Sequence, residues 1–278
     1  MITIVTAFFD IGRSDWQGYA RSTQTYLANF KRLCLLENPI VLFTQTALKT
    51  EIDVLAQGKG NLTVFYCDTL FDEHEELLQR IASVQASEIY REGIADPTCP
   101  EYNQPKYVLV NYLKSYFCVE AARRLGLSKQ MLAWIDFGYL RTNKQLPISL
   151  RWNFPFVNKI NMFYLQSPEG PIDLVQTIKN NIVYIQGCHI VADTDSWIRM
   201  AEFMREALYR LLDDNLIDDD QTLLLMAWQA HEGFFKLYPA VVAKPLGWFF
   251  IFRRFNSAEQ SLNWLQRIKY WRQVMAHR

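Results

Sequence analysis

Short apolar runs alternate with segments of helical period along the first half of the chain. Residues 2–8, all but Ala7 β-branched or aromatic, predict a buried first strand. In residues 19–36, Tyr26, Leu27, Phe30 and Leu33 or Cys34 recur at three- and four-residue spacing, which predicts a helix that Asn38 and Pro39 stop. Residues 40–44 and 62–67 predict two further strands, with a helix around 47–55 between them. That order is the order of βαβ units, so the fold class is α/β with a parallel sheet.

The pattern continues beyond residue 70. Residues 70–92 are acidic and helical, with Phe71, Leu77, Leu78 and Ile81 on the packing side, and a turn-rich insert follows to Pro105. One long helix is expected over 107–125. Leu109, Leu113, Phe117 and Ala121 share one face, and Tyr107, Asn111, Lys114 and Cys118 the neighbouring one. After Gly126 comes the run of residues 131–139, a strand that ends at an acid, Asp136, two residues before Gly138. Residues 143–155 are irregular and aromatic, 159–165 predict a strand, and 182–192 form two β-prone halves around Gly187. Thr194 or Asp195 caps a helix carrying Trp197, Ala201, Met204, Leu208 and Leu211, and a last helix runs through 221–230 behind an acidic cluster. Neither an internal repeat nor an independent second domain is marked.

Composition narrows the function classes. Lys plus Arg and Asp plus Glu both number 29, so no basic surplus points to a nucleic-acid partner. Hydrophobic residues make up 50% and aromatics 14%, more rings than a core needs, so some are expected to line a pocket. Five cysteines without a CxxC pair argue against a disulfide framework or a zinc knuckle. The apolar start lacks a basic leader and no run reaches the length of a membrane span, so a cytoplasmic protein is expected. The aromatic and basic segment 245–254, with Trp264, Tyr270 and Trp271 behind it, could touch the inner membrane face or form the last packing layer of the domain.

Candidate chemistry gathers at element ends. Ligands of open α/β sheets bind beyond the C-terminal ends of strands, which makes Asp136 a candidate active-site carboxylate. The loop with Gly12 and Arg13 after the first strand suits a phosphate or sugar nucleotide, although neither a dinucleotide fingerprint nor a phosphate loop of GxxxxGK type is present. Asn111 and Lys114 either contact a ligand or, for the lysine, snorkel along apolar surface. Asp219 and Asp220 stand directly before an apolar helix that would fix one carboxylate rigidly, within reach of an attacking hydroxyl. The alternative is that the five acids at 213–220 are a solvated helix connection.

Taken together, residues 4–13, Asn111 with Lys114, residues 134–139, residues 187–189 and residues 218–221 resemble the bacterial HtrL/YibB family. Those proteins come largely from lipopolysaccharide, O-antigen and capsule gene clusters and are similar to nucleotide-sugar transferases of GT-A type. The resemblance covers roughly residues 2–250. It implies a GT-A-like fold, a central and mostly parallel mixed sheet flanked by helices, with a nucleotide-sugar half near 1–140 joined to an acceptor half near 141–278. It implies a nucleoside diphosphate sugar donor, a uridine nucleotide being favoured, and a glycan or lipid-linked glycan acceptor. By this likeness Thr6, Ala7 and Phe8 meet the base, Arg13 the base or diphosphate, and Asn111 and Lys114 the donor. His189 approaches the diphosphate or metal, or else is a structural histidine, and Asp220, or its neighbour Asp219, meets the acceptor hydroxyl. The usual metal motif, two acids one residue apart, would place a manganese or magnesium ion at Asp136, but the companion positions hold Trp134 and Gly138, so Asp136, with Gly138 beside it, could instead meet the ribose or sugar hydroxyls of the donor. A metal-assisted hydrolase and a glycan-binding protein without catalysis are the alternatives.

Overall fold

In this computed structural model the described residues are 1–240, 249, 251–261 and 265. Seven strands form one sheet: β1 (Thr3–Phe8), β2 (Ile40–Thr44), β3 (Leu62–Tyr66), β4 (Met131–Ile135), β5 (Ile160–Tyr164), β6 (His189–Asp193) and β7 (Phe235–Pro239), in the spatial order β3-β2-β1-β4-β6-β5-β7. The pairs β1 with β2, β2 with β3, β1 with β4, and β5 with β7 are parallel. β6 alone runs against its neighbours, pairing Trp134 with Ile190 and Ile135 with His189. This is the mostly parallel mixed sheet flanked by helices expected of a GT-A-like chain.

The helices are α1 (Thr23–Leu33), α2 (Lys49–Ala56), α3 (Leu70–Glu73), α4 (Glu75–Ala86), α5 (Glu88–Arg91), α6 (Pro105–Tyr112), α7 (Lys114–Leu125), α8 (Leu174–Lys179), α9 (Thr194–Asp213) and α10 (Asp220–His231). They cover the two sheet faces, and strand alternation divides the core accordingly. Val5 and Ala7 of β1 face a core built with α4, α6, α7, α9 and α10. Ile2, Ile4 and Phe8 face a second one with α1 and the aromatics of 137–156 and 252–255.

Two expectations are corrected. The single helix over 107–125 is two, because Leu113 has ψ near 2° and its N–H turns to Leu109 and Asn111, so α7 begins at Lys114. The first helix starts at Thr23 rather than near 19, where the side chain of Ser22 accepts from the N–H of Thr25 and caps it. No helix among the described residues is long and apolar enough to cross a membrane. The membrane-contact or packing segment at the C-terminus lies largely outside the described residues.

Candidate active site

Because β1 and β4 are parallel neighbours, their C-terminal ends open on the same edge of the sheet. The antiparallel β6 starts there, so residues 187 and 188 arrive at that edge too. A cavity of about 260 Å³ lies over it, lined by Ala7 to Ile11, by Asp136 to Tyr139, by Gly187 and Cys188, and by the starts of α7 and α10. It is the crevice outside strand ends in which α/β sheets hold ligands.

Its floor is one ammonium among oxygens. The Nζ of Lys114 donates to Asp220 Oδ2 at 2.7 Å and to the carbonyl of Gly187 at 3.1 Å, and lies 3.1 Å from Asp136 Oδ1. Lys114 is 4% exposed and Asp220 2%. Burial alone would favour the neutral amine, but the carboxylates of Asp136 and Asp220 outweigh it and hold the ammonium charged. For Asp220, burial pushes the carboxyl above its ordinary range, Lys114 pulls it back and Asp136 pushes the same way as burial. Asp136 is further held by Trp134, whose Nε1–H donates to Oδ1 at 2.8 Å. The residue at the missing-acid position is therefore a donor to the acid that remains.

Gly187 makes this arrangement possible. A Cβ there would stand 1.7 Å from Asp220 Oδ2, inside the carboxylate. Gly138, the other companion position, lets the ring of Tyr26 lie where a Cβ would be 3.0 Å away. An acid in place of Gly138 would press on that ring, and at the other companion position Trp134 donates to Asp136.

The three consecutive acids at the start of α10 have separate tasks. Asp218 accepts from the hydroxyl of Thr222 and the N–H of Asp219, and Asp219 caps the helix by accepting from the N–H of Gln221 at 2.9 Å. Only Asp220 lines the cavity. The reading of the acids at 213–220 as a solvated connection fits Asp213 and Asp214, which are exposed, but not Asp218, Asp219 and Asp220, all of which are buried. Asp219 as a candidate base is likewise corrected, since capping turns its carboxylate into the helix start.

The rim is cationic. Arg13, Arg21 and Arg141 line the cavity, and none of them forms an ion pair among the described residues. Arg13 donates to the carbonyl of Tyr19 and lies against Trp16 and Tyr107; Arg21 lies over Tyr26, and Arg141 4.0 Å over Phe249. Partial burial, then the charges of Arg21 and Arg13, hold Arg141 below its ordinary range. Asp10 also lines the cavity but accepts from Gly12 and Thr23. Arg21 and Arg141 escaped the sequence reading because they sit in loops without period, and only the closing of β1 against β4 brings them together.

Of the expected donor residues, Ala7, Phe8, Arg13, Asn111, Lys114, Asp136 and Gly138 line the cavity. Asn111 donates to the carbonyl of Tyr107 within its own helix. Two residues do not reach it. Thr6 is wholly buried on the β1 face shared with Ile4 and Phe8. His189 is wholly buried among Tyr139, Trp152, Phe163 and Phe252, with ring centroids 5.0 to 5.6 Å away. Both of its nitrogens lack a partner among the described residues, and burial keeps the imidazole neutral. The expectation of His189 at a diphosphate or metal is corrected: its place on β6 points it into the aromatic core.

The oxygens of Asp136, Asp220 and Gly187 are hard ligands of the kind a divalent cation takes. Lys114 Nζ already occupies the point on which they converge, and no group of three or more His, Cys, Asp or Glu among the described residues could hold a metal. The residues as arranged do not fit a divalent cation at Asp136.

Comparison with known proteins gives a relative and several distant likenesses. Protein HtrL of Escherichia coli (strain K12) is 34% identical over 269 residues, 92% of each chain. Among solved structures, mouse xyloside xylosyltransferase 1 in its apo form matches with a TM-score of 0.46 at 11% identity, over 91% of this chain and 93% of that one. A cytidylyltransferase from Leptospira borgpetersenii matches with a TM-score of 0.38 at 10% identity, over 86% and 75%. The family model described as "Bacterial protein of unknown function (HtrL_YibB)" matches residues 1–257, and with the 34% identity to HtrL this shows that the chain belongs to the HtrL_YibB family.

Proposed function

We propose that this chain is a nucleotide-sugar-dependent glycosyltransferase, moving a sugar from a nucleoside diphosphate donor to a hydroxyl of a bacterial surface glycan. What carries the reading is the convergence of Arg13, Arg21 and Arg141 with the buried carboxylate of Asp220 on one cavity at the sheet edge. Unpaired guanidinium groups suit a diphosphate, which they can contact through two donors at once. The rings of Phe8, Tyr26 and Tyr107 in the same wall suit a base or a sugar face.

Asp220 is the general base. Its carboxylate takes the proton of the acceptor hydroxyl while that oxygen forms a bond to the anomeric carbon. The bond from that carbon to the diphosphate oxygen breaks, and the diphosphate leaves with the electron pair toward the arginines, inverting the centre. A carboxyl raised toward neutrality by burial is a better base than an exposed one. Charge growing on the leaving group meets fixed cations that need little reorganisation.

The experiment is a screen of nucleotide sugars with glycan acceptors, followed by Asp220→Asn. Loss of the base should lower turnover about 10²- to 10⁴-fold, with donor affinity changed far less. Full turnover in that variant would remove Asp220 from the chemistry. Release of free sugar at the same rate with and without acceptor would make the protein a hydrolase instead.

A further inference from the structure

The ammonium of Lys114 stands where a metal would be expected, between two carboxylates and a carbonyl. Exchanging it for a divalent ion would require a buried charged side chain to leave three oxygen partners at 2.7, 3.1 and 3.1 Å. At the rim, Arg13, Arg21 and Arg141 crowd like charges together with no carboxylate paired to them among the described residues. That costs free energy in the empty site and is relieved when an anion enters. The two groups of cations divide the work: Lys114 answers Asp136 and Asp220, and the arginines remain for the ligand.

We propose that the site binds the diphosphate of its nucleotide ligand without a divalent cation, Lys114 permanently filling the position between Asp136, Asp220 and the Gly187 carbonyl while Arg13, Arg21 and Arg141 receive the phosphates. The inference rests on the transferase reading, because it presupposes a nucleoside diphosphate ligand. Its content is separate, since a metal-dependent transferase would leave that reading intact. Cation–π contacts of Arg13 with the rings of Trp16 and Tyr107, and of Arg141 with Phe249, help to hold these cations in place before any ligand arrives.

The test is calorimetric titration of the full chain with uridine, cytidine, guanosine and adenosine diphosphates, each in excess EDTA and in manganese, with manganese alone followed by electron paramagnetic resonance. At least one diphosphate should bind with affinities within about threefold of each other in the two conditions, and the protein alone should leave manganese free. Binding that needs manganese or tightens more than about tenfold with it, or one manganese bound per wild-type chain, overturns the inference and leaves the transferase reading standing. If no diphosphate binds in either condition, both fall. Arg141→Gln, at the cavity rim where the residue is largely exposed, is expected to weaken diphosphate binding about tenfold in low salt and to lessen its salt dependence. An unchanged affinity in that variant would take Arg141 out of the anion site. Lys114→Met should acquire manganese affinity that the wild type lacks, as its two carboxylates come free; should this variant not fold, the wild-type metal titration still decides.

Discussion

Lys114 and His189 are both basic side chains closed off from solvent, and the fold treats them in opposite ways. Lys114 stays charged because two carboxylates and a carbonyl surround it. His189 stays neutral because only rings surround it. The chain passes from one environment to the other within three residues: the Gly187 carbonyl accepts from Lys114, Cys188 lines the cavity, and His189 turns to the far side of the sheet. Burying a charge is tolerated only with a full set of partners, whereas a neutral imidazole can be buried as a flat ring. The comparison separates a polar group held for chemistry from one held for packing, and substitution at each side of it should behave accordingly.

Lys114→Met is expected to have the largest effect. It leaves the carboxylate of Asp220 buried without its cation, and breaking a buried pair in this way costs about 3–5 kcal/mol. Urea denaturation measures it, and adding Asp220→Asn should recover part of the loss, a coupling that a double-mutant cycle reads directly. A cost below about 1 kcal/mol would mean that the ion pair is not maintained in solution.

Gly187→Ala comes next. The backbone of Gly187 is not in the left-handed region, so the requirement is steric: the new methyl would overlap Asp220 Oδ2. Overpacking of this kind costs about 1–3 kcal/mol. Since Asp220 has to move away from Lys114 to relieve it, nucleoside diphosphate binding should fall along with stability. Alanine there with wild-type stability and binding would show that the carboxylate lies elsewhere.

These two residues also show how far the sequence could be read. Strands such as Ile40–Thr44 are contiguous apolar runs closed by turn residues, and their ends were legible to within a residue or two. Asp136 and Asp220 stood out because each sits where such a run or an apolar helix meets its loop. Lys114 was visible as a polar residue on an apolar helix, but not its partners, which lie 22, 73 and 106 positions away along the chain. Three features gave no local signal. The break at Leu113 involves neither proline nor glycine. β7 went unread because Lys236 and Pro239 interrupt its apolar character and only Phe235 of its residues is buried. His189 could be read as a ligand or as a structural residue, because a one-residue shift along a strand sends a side chain to the opposite face and sequence leaves that register open.

Trp134→Phe probes the polar side more gently. The indole N–H donates to Asp136 Oδ1, but the Asp136 side chain is 39% exposed, so water can replace the lost donor. A change of about 0.5–1.5 kcal/mol in stability is expected from one hydrogen bond. Asp136 would keep Lys114 as its partner, so diphosphate affinity should shift only a few-fold. Abolished binding with unchanged stability would give Trp134 a direct part in ligand contact.

His189→Phe should have the smallest effect at neutral pH and tests the other side of the contrast. It removes two buried nitrogens that lack partners among the described residues and puts a ring of similar shape among Trp152, Phe163 and Phe252. Loss of unsatisfied polar atoms offsets the slightly larger volume, so stability should change by less than about 1 kcal/mol. The sharper readout is its pH dependence. Burial holds the imidazole well below its ordinary value of 6.5, so at lower pH the unfolded chain takes up a proton that the folded chain refuses. Stability contributed by the neutral ring is therefore present above pH 6.5 and is lost as pH falls below it, at about 1.4 kcal/mol per pH unit once the unfolded histidine is protonated. In His189→Phe that part of the slope should vanish while diphosphate binding is retained. Were the variant to fold normally but bind no diphosphate, His189 would belong with Lys114, and the boundary drawn between Gly187 and His189 would have to move.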